Sequence, residues 1–105
     1  MIHLAREDVL RGLERFRRIA KQDFLASGLT ENTEFWAAQA AARREQYDEL
    51  ISIIETSGVP RAIESAIEFY NELPNLHDEP EFSEPETRGR KQAREVFFKA
   101  VGVDR

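Results

Sequence analysis

Apolar residues recur along this chain at intervals of three and four, the spacing of one face of an α-helix. Val9, Leu13, Phe16, Ala20 and Phe24 step by +4, +3, +4 and +4. They predict a first helix from about Ala5 to Ser27, closed by Gly28 as a left-handed residue after its last turn. A second helix is expected to begin near Thr30, Asn32 or Thr33, each able to cap it, and to reach Ser57 before Gly58 stops it. At 1.5 Å per residue it would measure close to ~40 Å, which is long for so short a chain. Pro60 suits the first turn of a third helix with Ile63, Ala66, Ile67, Tyr70 and Leu73 on its apolar side, and Pro74 ends it. The short link Gly58-Val59 makes the second and third helices fold back or meet at a sharp corner.

From Pro74 to Thr87 the period disappears. This segment holds three prolines and five acidic residues, with only Leu76 and Phe82 as apolar anchors. It reads as an extended, polyproline-like connector. Ala93, Val96, Phe97, Ala100 and Val101 then mark one side of a fourth helix, roughly Arg88 to Val101, with Gly102 as its stop. The pattern gives an all-α protein: a small antiparallel bundle of three helices over residues 1–73, a connector over 74–87, and a basic C-terminal helix over 88–105, docked on its own core or exchanged with a second copy.

One residue breaks the pattern. Trp36, Ala40, Tyr47, Leu50 and Ile54 share a narrow stripe of the second helix at about 100° per residue, and Arg43 falls inside it. Gln39 and Gln46 border it and form a polar track, with Phe35, Ala42 and Ile53 on the far side. The combined apolar arc approaches ~180°, more than one neighbouring helix needs. Alanines 37, 38, 40, 41 and 42 would let a second backbone come close. Three uses of Arg43 follow: it lays its stem on apolar surface and frees its charge to water, it marks a seam with a second copy, or it serves an anion or ligand pocket. A guanidinium buried with no partner is excluded, because it would cost several kcal/mol, a large share of the ~5–10 that hold a small domain together.

Composition narrows the classes. The chain has 105 residues and a net charge of −5, with no cysteine and two histidines. Disulfides, thiolate metal sites and a cysteine nucleophile are therefore impossible, and a dedicated transition-metal site is not expected. No stretch approaches the ~18 apolar residues of a membrane span, and the N-terminus lacks a signal-peptide pattern. A cytoplasmic protein is expected. The charge is segregated: +2 over residues 1–28, −4 over 29–58, −2 over 59–73, −5 over 74–86 and +4 over 87–105. Such blocks favour charge pairing within the fold or between copies.

Candidate chemistry is sparse. Glu31 and Glu34, with Glu45 and Asp48, resemble the paired acidic motifs of helical metal-dependent hydrolases. They share one helix, however, and Glu34 and Glu45 stand about 16 Å apart along it. Only a dimer could assemble them around one ion. The row Glu64, Glu68, Glu72 reads as a solvent face. Neither His3 nor His77 has a serine nucleophile and an orienting acid beside it. No glycine-rich phosphate loop is present, Gly89 being an isolated glycine in a basic run.

Two basic groups remain. Arg11, Arg15 and Arg18 form a stripe on the first helix, supported by Glu7 and Glu14 four residues earlier. Arg88, Arg90, Lys91 and Arg94 crowd the start of the fourth helix, where the macrodipole disfavours positive charge. The tethered carboxylates of Glu79, Glu81, Glu84 and Glu86 are their nearest counter-charges.

The first functional expectation is a small interaction or regulatory module working through protein–protein contacts as a homodimer, or on another protein. Its interaction candidates are Trp36, Gln39, Arg43, Gln46, Tyr47 and Leu50, and it needs no cofactor and no membrane. The alternatives are a nucleic-acid-binding regulator using Arg88, Arg90, Lys91 and Arg94, or the Arg11, Arg15 and Arg18 stripe, and a minimal metal-dependent hydrolase assembled across a dimer.

Overall fold

Four helices account for most of the computed structural model, which describes residues 5–103: α1 (Arg6–Ala26), α2 (Thr33–Ser57), α3 (Val59–Glu72) and α4 (Pro85–Val101). His3 and the last two residues of the basic segment lie outside the described residues. The described chain is an all-α bundle. α2 is its spine, its 25 residues running most of the 40 Å long axis.

Paired residues fix the direction of each helix. Arg6 reaches the carbonyl of Glu55, Arg17 meets Asp48, and Arg43 meets Asp23. Numbers that rise in α1 fall in α2, so the two are antiparallel. Gly89 of α4 sits over Gln39 and Ala42, Gln92 bonds to Gln39, and Arg94 feels the charge of Glu49. Numbers therefore rise together, and α4 runs in the same sense as α2. Lys91 touches Pro74 while Glu95 touches Tyr70, which sets α3 antiparallel to α4. The chain goes down, up, down and up, with α1 and α4 on the two flanks of α2.

The core follows. Val9, Leu13 and Ala20 of α1 meet Tyr47, Leu50, Ile51 and Ile54 of α2, and α3 adds Ala62, Ile63 and Ala66. α4 contributes Ala93, Phe97, Phe98 and Val101, of which Phe97 and Phe98 are among the largest fully buried side chains. Phe16 leans on Tyr47 at 5.7 Å between ring centroids, and Tyr70 meets Phe98 edge-on at 5.6 Å.

Several boundaries differ from those read off the sequence, each for a physical reason. Gly28 is not left-handed: α1 tightens into a 3₁₀ turn, Ser27–Leu29, and its last carbonyls are served by hydroxyls. Ser27 Oγ donates to the Phe24 carbonyl at 2.7 Å and Thr30 Oγ1 to the Ser27 carbonyl at 2.6 Å, so no αL glycine is required. Gly58 does take positive φ, at 92°. No side chain caps α2 at Asn32, and Thr33 donates back to the Thr30 carbonyl instead. Phe24 faces outward at 46% exposure, as the end of α1 runs past the core.

The connector is not extended. It makes two tight turns, with Glu79 N–H bonded to the Leu76 carbonyl and Ser83 N–H to the Pro80 carbonyl, each at 3.1 Å. α4 also begins a turn earlier than Arg88, at Pro85, whose ring presets helical φ. Glu84 ahead of it takes a left-handed conformation (φ 51°), which breaks the chain's path just before the helix.

The buried face of α4 is turned relative to the one expected. Gly89, Ala93, Phe97 and Val101, each four apart, form its buried ridge, with Phe98 beside them, while Ala100 is exposed. Gly89 decides how close α4 comes. A Cβ there would stand 2.4 Å from the Gln39 carbonyl oxygen and 3.0 Å from Ala42 Cβ. The second backbone that the α2 alanines admit is thus α4 of the same chain.

Two glycine substitutions should move stability in opposite directions. Gly12→Ala in α1, where an added Cβ meets nothing within 4 Å, is expected to stabilise by about 0.5–1 kcal/mol. Gly89→Ala should cost about 1–3 kcal/mol although alanine is the better helix former. Urea unfolding followed by circular dichroism measures both, and a stabilised Gly89→Ala protein would refute the close approach of α2 and α4.

Candidate functional site

The polar track expected on α2 is real, and it is filled within the chain. Arg43 is 8% exposed. Its Nε donates to Gln39 Oε1 at 2.8 Å and its Nη2 to Asp23 Oδ2 at 2.7 Å. Gln39 Nε2 in turn donates to Gln92 Oε1. A relay Asp23–Arg43–Gln39–Gln92 therefore ties α1, α2 and α4 together. This is none of the three uses weighed for Arg43: it is a buried ion pair made in cis, with the Asp23 carboxylate half-exposed at the edge. The second flank of α2 is covered by α4.

The other α2 candidates divide. Gln46, Tyr47 and Leu50 are buried in the bundle. Burial raises the Tyr47 phenol from 10.0 to about 12, partly offset by the positive charge of Arg43. Trp36 is different: at 39% exposure it stands at the open end of the helix.

The basic start of α4 is occupied in a way the charge blocks did not foretell. Arg88 donates from Nε to the Ser83 carbonyl at 2.6 Å and from Nη2 to the Pro80 carbonyl at 2.9 Å. Lys91 Nζ donates to the Pro74 carbonyl at 3.1 Å and lies 5.5 Å from the Tyr70 ring centroid. The connector is clipped to α4 through its backbone, and its carboxylates take no part. Arg94 is buried, 5.3 Å over the Phe69 ring, with Nη1 on the Arg90 carbonyl. Its Nε has no partner among the described residues. Burial lowers the pKa of Arg94, Glu49 opposes the shift and Arg90 adds to it. Arg90 is half-buried. These four do not form a free cationic face.

The remaining charged candidates are dispersed. Asp48 is held by Arg17 at 2.7 Å, and Arg11 pairs with Asp8, three residues back, and not with Glu7. Arg18 belongs to a basic hollow of about 430 Å³ with Arg17, Lys21 and Arg44. His77 lies exposed on the connector. Among the described residues no three acidic or histidine side chains gather as metal ligands would. Nor is any helix among the described residues long and apolar enough to cross a membrane.

What the bundle does build is a groove. The clipped connector arches over the N-terminal end of α2 and the start of α4, leaving a hollow of about 770 Å³. Phe35 is its hub. Trp36 meets it edge-on at 4.9 Å and Phe82, from the connector, at 5.3 Å. Trp36 and Phe82 are each about two-fifths exposed. A smaller hollow of about 300 Å³ continues past Trp36 and Gln39 to Asp23 and Arg43. Another, of about 650 Å³, lies on the far side of Phe35 and Phe82, walled by Glu31 and Glu34. Only Trp36 and Gln39 of the expected interaction residues border the large groove, with Arg88 and Lys91 in its wall. Phe82 was visible beforehand only as a lone aromatic in an acidic, proline-containing run.

The chain matches no protein-family model, and no curated protein or solved structure is significantly similar to it.

Two predictions test the relay and the buried phenol. Asp23→Ala, which strands the Arg43 charge, should cost about 1–2 kcal/mol in urea unfolding, and Arg43→Met, which removes the charge but keeps the stem, should cost less. The reverse order would show that the carboxylate does not compensate the guanidinium. Tyr47 keeps its proton in the folded state to a higher pH than when unfolded, so the folded state binds more protons between pH 10 and about 12 and loses stability as pH rises through that window. The loss should approach ~1.4 kcal/mol per pH unit. Tyr47→Phe should show a flatter stability profile there, and parallel profiles would contradict the assignment.

Proposed function

We propose that this chain is a small helical interaction module that binds a segment of another protein in the groove between the connector, α2 and α4. The observation that carries the reading is the aromatic cluster of half-buried Phe35 with exposed Trp36 and Phe82, lining an open hollow on a bundle whose other large aromatic rings are mostly spent in the core. Exposed aromatic rings in a concave, rigid setting are characteristic anchors of protein interfaces. Leu25 and Leu29, 71% and 91% exposed, are separate apolar side chains at the end of α1 and the turn that follows.

The arguments for self-association on α2 lose their surface, because α4 takes that flank and docks within its own chain. The nucleic-acid reading loses the basic start of α4, whose Arg88, Lys91 and Arg94 are engaged in cis. Hydrolase chemistry has no gathered carboxylates to support it among the described residues.

Selection from a displayed random-peptide library tests the proposal. The chain is expected to enrich a consensus with aromatic or aliphatic anchors whose synthetic peptide shifts the fluorescence of Trp36, the single tryptophan. Phe82→Ser, on the exposed connector, should abolish that binding without loss of helicity. A selection with no consensus, or binders that leave Trp36 unaffected, would refute the groove. Light scattering after size exclusion should return a mass near 12.2 kDa; twice that value would assign the surface to a homodimer.

A further inference from the structure

Resting on that reading, the charge around the groove specifies the chemistry of its occupant. The large hollow and its neighbour beyond Phe82 are walled by Glu31, Glu34, Glu79, Glu81 and Glu95 against two cations, Arg88 and Lys91. Glu95 accepts a hydrogen bond from the Tyr70 hydroxyl. Glu31, Glu34, Glu79 and Glu81 form no ion pair among the described residues and are exposed. Both cations donate to connector carbonyls and are turned to the task of holding the loop. Those bonds to neutral carbonyls leave both positive charges in place, but five carboxylates against two cations make the wall facing a ligand net negative.

The rings carry the same sign. The face of an aromatic ring is the negative end of its quadrupole, and it attracts a guanidinium or ammonium placed over it. Trp36 and Phe82 are partly exposed rings beside carboxylates, an arrangement suited to an arginine that stacks on a ring and pairs with an acid at its edge. The two hollows meet across Phe35 and Phe82 and together are too open for a compact small molecule. They fit an extended chain lying over Phe82. We infer that the groove takes a basic segment of a partner protein in which arginine or lysine alternates with apolar anchors.

The test uses the full chain and three peptides of about a dozen residues, sharing their phenylalanine and leucine positions and carrying arginine, glutamine or glutamate elsewhere. Trp36 fluorescence and calorimetry report binding. The arginine peptide should bind at least ~10-fold more tightly than the glutamine peptide, the glutamate peptide should not bind, and the preference should weaken as salt rises from about 50 to about 300 mM. Glu79→Gln with Glu81→Gln, both exposed, should erase most of the preference. Equal binding of all three peptides, or tighter binding of the glutamate peptide, overturns the inference and leaves the groove intact as an interaction site. An arginine preference that survives Glu79→Gln with Glu81→Gln also overturns it, since attraction to the net charge would then suffice. If none of the three moves Trp36, the inference and the groove reading both fall.

Discussion

The approach of α4 to α2 at Gly89 is the constraint on which the rest of the molecule depends. A single missing Cβ lets a helix backbone settle against the Gln39 carbonyl and Ala42. That distance seats Phe97, Phe98 and Val101 in the core, brings Gln92 within reach of Gln39, and places Arg88 and Lys91 where they can grip the connector. Glycine inside a helix is unfavourable by itself, by roughly 0.5–1 kcal/mol relative to alanine. Here the penalty is offset by a contact that no larger residue would allow.

The same contact explains how α2 tolerates a charge in its seam. Arg43 sits where two helices close over a third, and desolvating a guanidinium there is costly unless its charge is paired and hydrogen-bonded. Asp23 and Gln39 answer it, and Gln92 answers Gln39. The charge is compensated at the rim, where Asp23 keeps contact with water. α1, α2 and α4 are thereby held in one register by polar groups, in addition to the apolar packing between them.

Helical periodicity was enough to find all four helices and most of the core, because amphipathic spacing is a local property. Tyr47, Leu50 and Ile54 could be placed inside from their spacing alone. The use of Arg43 could not be chosen, since its partner Asp23 lies twenty positions away on another helix and resembles any surface aspartate. Gly89 looked like a break in a basic run, because the Gln39 carbonyl it accommodates is contributed by tertiary structure. Arg88 and Lys91 were matched with connector carboxylates on proximity, yet backbone carbonyls, which carry no signature in a sequence, took them instead. The groove was the least legible part. Its hub unites Phe35 and Trp36 with Phe82, far along the chain, and only the turns of the connector bring them together.

The clip that fastens the connector has a thermodynamic meaning. One wall of the groove is the connector, and that wall is held by two side chains of the helix it leads into. When α4 lifts from α2, even briefly, the loop is released and the aromatic surface divides into unrelated pieces. Whatever fills the groove must therefore draw on the population in which α4 is seated, and by mass action its presence must hold that helix down. Opening of α4 and occupancy of the groove would be mutually exclusive, so a partner held at that end of the bundle would slow hydrogen exchange at Phe97 and Phe98 without touching them.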